Sequence, residues 1–326
     1  MNRKIRIGIA GYGNLGRGVE SAIAQNPDMA LAGVFTRRDP VSLRTLGAQV
    51  HRLDAIDAFV ADIDVLVLCG GSKSDLPEQG PALAARFNTV DSFDTHARIP
   101  EYFDVVDRAA HAGEHTAVIA VGWDPGLFSL ARVYGESVLA DGATYTFWGR
   151  GLSQGHSEAI RRVPGVRAGV QYTVPVSQAI ERVRSGERPA LSTRDRHTRE
   201  CHVVLEDGAD AAAVERAIVT MPDYFADYDT TVRFIDAATL QREHSAMPHG
   251  GFVLRTGRTG PDTSQVFEFA LKLDSNPEFT ASVLVAYARA AWRLAQRREF
   301  GARTVFDIAP ALLSPKSPAE LRAQLL

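Results

Sequence analysis

The chain has 326 residues, of which 45% are hydrophobic and 23% charged. That composition excludes a disordered chain, a collagen-like repeat and a small disulfide scaffold. Lys+Arg total 36 against Asp+Glu 39, a net charge of −3, which excludes a general attraction to nucleic acid or to an acidic membrane.

No run of about 18 apolar residues predicts a membrane span. Cys69 ends one apolar run and Cys201 opens another, so both read as core thiols, outside any disulfide framework or metal site. Met1-Asn2-Arg3-Lys4 leads into a short strand-like run and not into a signal peptide, so the expected compartment is a reducing cytoplasm.

The length suits two domains. In chain order, Ile5–Ala10, Leu31–Phe35, Val65–Cys69, Thr89–Asp91 and Ala117–Val121 predict buried strands, with helical patterns such as Leu15–Gln25 and Pro81–Phe87 between them. Strands alternating with helices predict βαβ units and a parallel sheet. Leu127–Leu139 predicts a helix. Longer strands follow at Ala143–Trp148, Val170–Val174, Cys201–Glu206, Thr231–Ile235, Gly251–Thr256 and Gln265–Leu273, interrupted by helices at Val176–Ser185 and Ala211–Thr220. They predict one mixed sheet with helices on one face. Phe279–Arg297 predicts a long helix, and the tail after Pro310 a short helix packed back on the first domain. The expected fold class is α/β: a Rossmann-type doubly wound parallel sheet domain, plus an α+β substrate-binding and dimerisation domain. The expected boundaries are 1–121 with 298–326 for the first, and 122–297 for the second.

Gly11-Tyr12-Gly13-Asn14-Leu15-Gly16 has the G-x-G-x-x-G spacing and stands where that motif needs to stand, after a strand and before a helix. Gly11 allows the tight turn, Gly13 lets a pyrophosphate reach the helix N-terminus, and Gly16 allows close helix–strand packing. The second strand ends Thr36-Arg37-Arg38 with no acid at its tip. Two guanidiniums and a hydroxyl suit a 2′-phosphate, so the predicted cofactor is NADP and not NAD. A pair of solvated surface arginines is the plainer alternative.

Ligands of such sheets bind beyond the carboxyl ends of the strands. Those ends run into Cys69-Gly70-Gly71-Ser72, Asp91-Ser92-Phe93-Asp94 and Val121-Gly122-Trp123-Asp124-Pro125, which brings Asp91, Asp94 and Asp124 near the cofactor edge. Carboxylates there can bind an ammonium or accept its proton. Asp94 and Asp124 also read as helix caps, Asp124 with Pro125 after it. In the second domain Trp148–His156, Arg199 and Pro248-His249-Gly250-Gly251 are polar or glycine-rich for simple architecture, yet each has a bland reading as core, loop or turn.

Several longer strings accompany the fingerprint: Gly122-Trp123-Asp124-Pro125-Gly126, Thr146-Phe147-Trp148-Gly149, Gly151-Leu152-Ser153-Gln154-Gly155-His156-Ser157, Met221-Pro222-Asp223-Tyr224-Phe225 and Met247-Pro248-His249-Gly250-Gly251. Together they resemble meso-diaminopimelate dehydrogenases over nearly the whole chain. Ser92-Phe93 replaces the family's commoner Thr-Tyr, and the carboxylates on either side are kept. The resemblance implies NADP-dependent, reversible oxidative deamination at the D-centre of meso-2,6-diaminopimelate, giving L-2-amino-6-oxopimelate (which cyclises to tetrahydrodipicolinate), ammonia and NADPH. It implies a homodimer serving lysine and cell-wall precursor metabolism.

Residue by residue, it implies that Gly11 to Leu15, Thr36 to Arg38, Cys69, Gly70, Gly71 and Ser72 line the cofactor. So do Ser92, Phe93, Asp94, Val121, Gly122, Trp123, Asp124 and Pro125. Asp94 and Asp124 would meet the reacting amino group. Trp148, Leu152, Ser153, Gln154 and Gly155 would surround that centre, and Thr173, Arg199, His249 and Asn276 would hold the distal L-centre. The four lysines, Lys4, Lys73, Lys272 and Lys316, lie outside these strings, so no lysine base is expected. The competing readings are another NADP oxidoreductase of the same two-domain plan, such as a homoserine-type dehydrogenase or a dihydrodipicolinate reductase, and a non-catalytic NADP-binding redox sensor.

Overall fold

The structure is a computed structural model that describes residues 3–326; the reading of the N-terminus rests partly on Met1 and Asn2, which lie outside them. The chain divides into two compact units, Met1–Leu130 with Pro277–Leu326, and Ala131–Asn276.

The first unit begins β1 (Ile5–Ala10), α1 (Asn14–Ala24), β2 (Met29–Thr36), β3 (Val50–Arg52), β4 (Val65–Leu68), α2 (Leu76–Ala84), β5 (Thr89–Asp91), α3 (Ile99–Ala112), β6 (Thr116–Val118) and the start of α4 (Leu127–Val138). It is completed by α10 (Asn276–Gln296), β14 (Gly301–Arg303) and α11 (Pro318–Leu325). The seven strands form one parallel sheet in the order β14-β6-β5-β4-β1-β2-β3. The reversal beside β1 is the switch point at which a doubly wound sheet binds its ligand.

Strands covered on both faces need apolar residues at every position, and β4 is fully buried throughout. Its alternation sends Val65 and Val67 to one face, with Val19 of α1 and Leu284 of α10. Leu66 and Leu68 go to the other, with Leu83 of α2 and Val106 of α3. On the α10 side a Cβ on Gly18 would come within 2.9 Å of the Ala281 Cβ, so glycine sets how closely α1 and α10 pack.

Several expectations are corrected. The α2 helix starts at Leu76 and not at Pro81, because Pro77 occupies its first turn and Pro81 lies inside. The β6 strand ends at Val118, three residues early: Ala120 turns to a φ of 55°, and its N–H meets the Asp91 carboxylate. The units divide at 130/131 and 276/277, where the sequence had suggested 121/122 and 297/298. The reason is the apolar stripe of α10, with Leu284, Tyr287, Ala288 and Ala291 in the core of the parallel sheet. The tail is pinned by Leu312 in that core and by Arg293, which donates to the carbonyls of residues 311, 312 and 314. The α11 helix itself buries no residue, so it is not the packed helix expected there.

The second unit contains the rest of α4, then β7 (Asp141–Trp148), β8 (Gly151–Leu152), α5 (Gln154–Arg161), β9 (Val166–Pro175), α6 (Ser177–Arg184), α7 (Thr193–Arg196) and β10 (His197–Leu205). Then come α8 (Ala211–Val219), β11 (Asp229–Phe234), α9 (Ala237–His244), β12 (His249–Gly260) and β13 (Thr263–Leu273). Two sheets replace the single one expected: a mixed sheet β11-β10-β9-β8 and an antiparallel sheet β13-β12-β7. Only Gly149 and Arg150 separate β7 from β8, yet the two belong to different sheets. Gly149 still donates to the Gly250 carbonyl, while Leu152 donates to that of Pro248. A two-residue switch leaves no trace in hydrophobic periodicity.

Candidate active site

In the first unit the glycine turn behaves as its spacing requires. Gly11 has a φ of 95°, and a Cβ there would lie 3.2 Å from the Cys69 carbonyl. A Cβ on Gly16 would overlap the Gly11 carbonyl oxygen, while one on Gly13 would meet nothing within 4 Å. Gly13 is the N-cap of α1 and offers no side chain to its first turn, so the backbone N–H groups at the helix start suit a phosphate.

Thr36 is buried at the tip of β2, and its hydroxyl accepts from the Arg38 N–H at 3.1 Å. The Arg38 guanidinium donates to the Tyr12 carbonyl, and the Tyr12 hydroxyl donates to buried Glu20. Arg37 pairs with Asp75 at 2.7 Å, and Asp75 also accepts from the Gly71 N–H. The structure thus brings the two arginines to the glycine turn and to the Cys69–Ser72 loop. Both are exposed, and a guanidinium has more N–H donors than these contacts use, so these residues fit a dinucleotide with a 2′-phosphate.

The acids at the strand ends part company. Asp91 is buried and accepts from the N–H groups of Phe93 and Ala120 and from the Tyr102 hydroxyl at 2.7 Å. Burial raises its carboxyl to about 6. It ties β5 to the chain beyond β6 and does not face the cofactor edge. Phe93 stacks on Tyr102 and Trp123 packs edge-on to Phe128, so their side chains belong to the core. Asp94 is exposed, on a loop held by Ser72, whose Oγ accepts from the N–H groups of Asp94 and Thr95. Asp124 is half-buried at the apex of a turn closed by two hydrogen bonds, Leu127 N–H to Gly122 and Phe128 N–H to Trp123. A Cβ on Gly126 would overlap the Gly122 carbonyl, which is why a glycine ends that string.

In the second unit the sheet register assembles a polar row. Gly151, Thr173, Arg199 and Thr230 are successive partners across β8, β9, β10 and β11. The Arg199 guanidinium donates to the Thr173 hydroxyl and lies over the Tyr228 ring at 3.8 Å. It is 6% exposed, burial lowers its pKa, its Nε has no hydrogen-bond partner, and no carboxylate pairs with it among the described residues. An uncompensated buried cation is costly, so the site is built for an anion.

A Cβ on Gly151 would overlap the His249 ring, so that glycine makes room for the imidazole beside the row. His249 Nδ1 lies 2.9 Å from the Gly250 nitrogen and 3.3 Å from the Gly250 carbonyl oxygen, which fixes the ring beside the row. Asn276 donates its N–H to the Met247 carbonyl, and Gln154 donates to the Met247 sulfur. Thr173, Arg199 and His249 therefore gather around the row, and Gln154 and Asn276 around Met247. Ser153 caps α5, with its Oγ 2.8 Å from His156 Nδ1. A Cβ on Gly155 would point into open space.

Sequence reasoning missed His197. It is buried, its Nε2 accepts the Trp148 N–H at 2.9 Å, and its ring lies against the indole. Burial and then Arg199 lower its pKa to about 4, so it is a neutral acceptor. The available signal was period two: His197, Arg199 and Cys201 share one face of β10. Cys201 is fully buried, and burial raises its thiol to about 12.

A doubly wound parallel sheet with this glycine turn, joined to a unit carrying an anion clamp, defines a Rossmann-type oxidoreductase of amino-acid-like substrates. Residues 122–275 match the family described as Diaminopimelic acid dehydrogenase C-terminal domain. The chain is 63% identical over 99% of both lengths to a Meso-diaminopimelate D-dehydrogenase of Lysinibacillus sphaericus. A solved structure of the Corynebacterium glutamicum DAP dehydrogenase in complex with DAP superposes with a TM-score of 0.92 at 48% identity, covering 100% of both chains. An engineered D-amino acid dehydrogenase bound to NADP+ superposes with a TM-score of 0.87 at 47% identity, covering 99% of this chain and 100% of that one. The chain belongs to the meso-diaminopimelate D-dehydrogenase family, oxidoreductases acting on CH–NH2.

Proposed function

We propose that the protein catalyses the reversible reaction of meso-2,6-diaminopimelate, NADP+ and water to L-2-amino-6-oxopimelate, ammonia, NADPH and a proton. The observation that carries this reading is the buried guanidinium of Arg199, which meets no acid among the described residues and suits the second carboxylate of a doubly zwitterionic substrate. NADP, held by the Gly11–Leu15 turn and by Arg37 and Arg38, supplies the hydride acceptor. Asp94 and Asp124 meet the ammonium of the D-centre. One of them takes its proton, directly or through water, and the carboxylate charge then favours the iminium cation. Assisted by the same groups, water adds to the iminium carbon and ammonia leaves. Trp148 and the Leu152–Gly155 loop are the second unit's groups for binding the substrate around its D-centre. At the distal end, Arg199, the Thr173 hydroxyl and the His249 imidazole hold the carboxylate, and the Asn276 amide oxygen suits the amine.

The working form is a homodimer in a reducing cytoplasm. No described helix is long and apolar enough to cross a membrane. Val133, Tyr134 and Val138 on α4 and Val266 on β13 are exposed apolar residues of one unit that suit a second copy of the chain. Spectrophotometry of NADPH formation over a panel of amino acids tests the reading: meso-diaminopimelate should be far ahead of monoamino acids, and a flat panel would end it.

A further inference from the structure

Gln171 lies in the middle of β9, one side-chain repeat from Thr173 and on the same face, and it is fully buried. Its amide Nε2 donates to the Thr173 Oγ1 at 3.4 Å. Among the described residues the amide oxygen has no partner, so this is the one hydrogen bond of its side chain there. The Arg199 guanidinium donates to the same Thr173 oxygen. A hydroxyl has two acceptor lone pairs and one hydrogen to donate. With both lone pairs taken by N–H groups, Thr173 has only its own hydrogen left to offer.

We infer that Gln171 is a positioning residue for substrate specificity: together with Arg199 it fixes the polarity of the Thr173 hydroxyl, making it a donor that selects a carboxylate over an amine. Gln171 touches no substrate and acts through Thr173. The inference rests on the reading of Thr173 and Arg199 as the distal carboxylate site.

A double-mutant cycle on meso-diaminopimelate kinetics tests it. Gln171→Met keeps the length and removes the donor. Gln171→Glu keeps the shape, replaces the donor by an acceptor, and serves if the methionine variant folds poorly, as thermal melting would show. Each should raise KM by about fivefold to tenfold, the worth of one hydrogen bond, with kcat within about twofold. Thr173→Val should raise KM similarly, and Gln171→Met added to Thr173→Val should change nothing further. If Thr173→Val leaves KM unchanged, the distal-site reading itself fails. If Thr173→Val raises KM but the Gln171 variants do not, or their effects add, or kcat falls in step, Gln171 is structural and the inference is overturned.

Discussion

A charge without a partner is more informative than one with a partner, and Arg199 shows why. Most arginines here end in visible ion pairs, such as Arg184 with Glu268 or Arg289 with Asp28. Arg199 is also buried, 6% exposed against 1% for Arg289, and among the described residues it has a hydroxyl, an aromatic face and no acid. Arg199→Met should cost meso-diaminopimelate roughly 2–5 kcal/mol of transition-state stabilisation, and a D-amino acid with an apolar tail far less. Steady-state kinetics on both substrates decide this; parallel losses would remove Arg199 from the clamp. Asp124 sits on a closed turn, so Asp124→Asn should leave the fold and NADP binding intact while lowering kcat at least about tenfold. A variant with normal turnover would leave Asp124 a purely structural residue. Arg37→Asp should weaken NADP use sharply and relatively favour NAD, because an acid repels the 2′-phosphate. Equal wild-type efficiency with both cofactors would contradict that assignment.

At the scale of elements, the three glycines of the fingerprint do different work. Gly16 is required by the protein itself, since a Cβ would overlap the Gly11 carbonyl. Gly13 has open space where its Cβ would stand, so its reason lies in the ligand. Gly16→Ala should therefore lower the melting temperature. Gly13→Ala should leave melting unchanged and raise the KM for NADP, and thermal melts beside NADP titrations separate the two. The long strands and helices were legible because burial on one or both faces imposes a period. Asp91 and Asp94 looked equivalent in the sequence, three residues apart after one strand. Only the Ala120 N–H beyond the neighbouring strand and the Tyr102 hydroxyl on α3 turn one inward and leave the other exposed.

Over the whole molecule, buried histidines set the response to acid. Burial holds His156 and His197 down at about 4, against an ordinary value of 6.5. Between those limits the unfolded chain binds protons that the folded chain refuses. Stability is thus complete above pH 6.5 and is lost as pH falls. His115, His202 and His244 are shifted the same way. Asp91 has the opposite sign: raised to about 6, it is protonated first in the folded state, and acid favours that state through it. Two strongly shifted histidines against one aspartate leave a net loss on the order of 1 kcal/mol per pH unit between about pH 6 and pH 4. Urea unfolding at about pH 7 and pH 5 measures it; equal stabilities would contradict the neutral burial of these rings.

By itself the sequence determined the parallel sheet, the glycine turn, the absence of an acid at the tip of β2 and the family strings. Each of these is local: a period of two or 3.6, a fixed spacing, or a run of neighbours along the chain. Only the tertiary structure decided that β7 and β8 part into two sheets, that α10 joins the first unit, and that His197 supports Trp148. It also decided that Thr173, Arg199 and His249 share one place. These depend on register between strands far apart in sequence, on room left by a missing Cβ at Gly151, and on which N–H meets which oxygen. Such contacts form between segments that carry no mark of each other until the chain has folded.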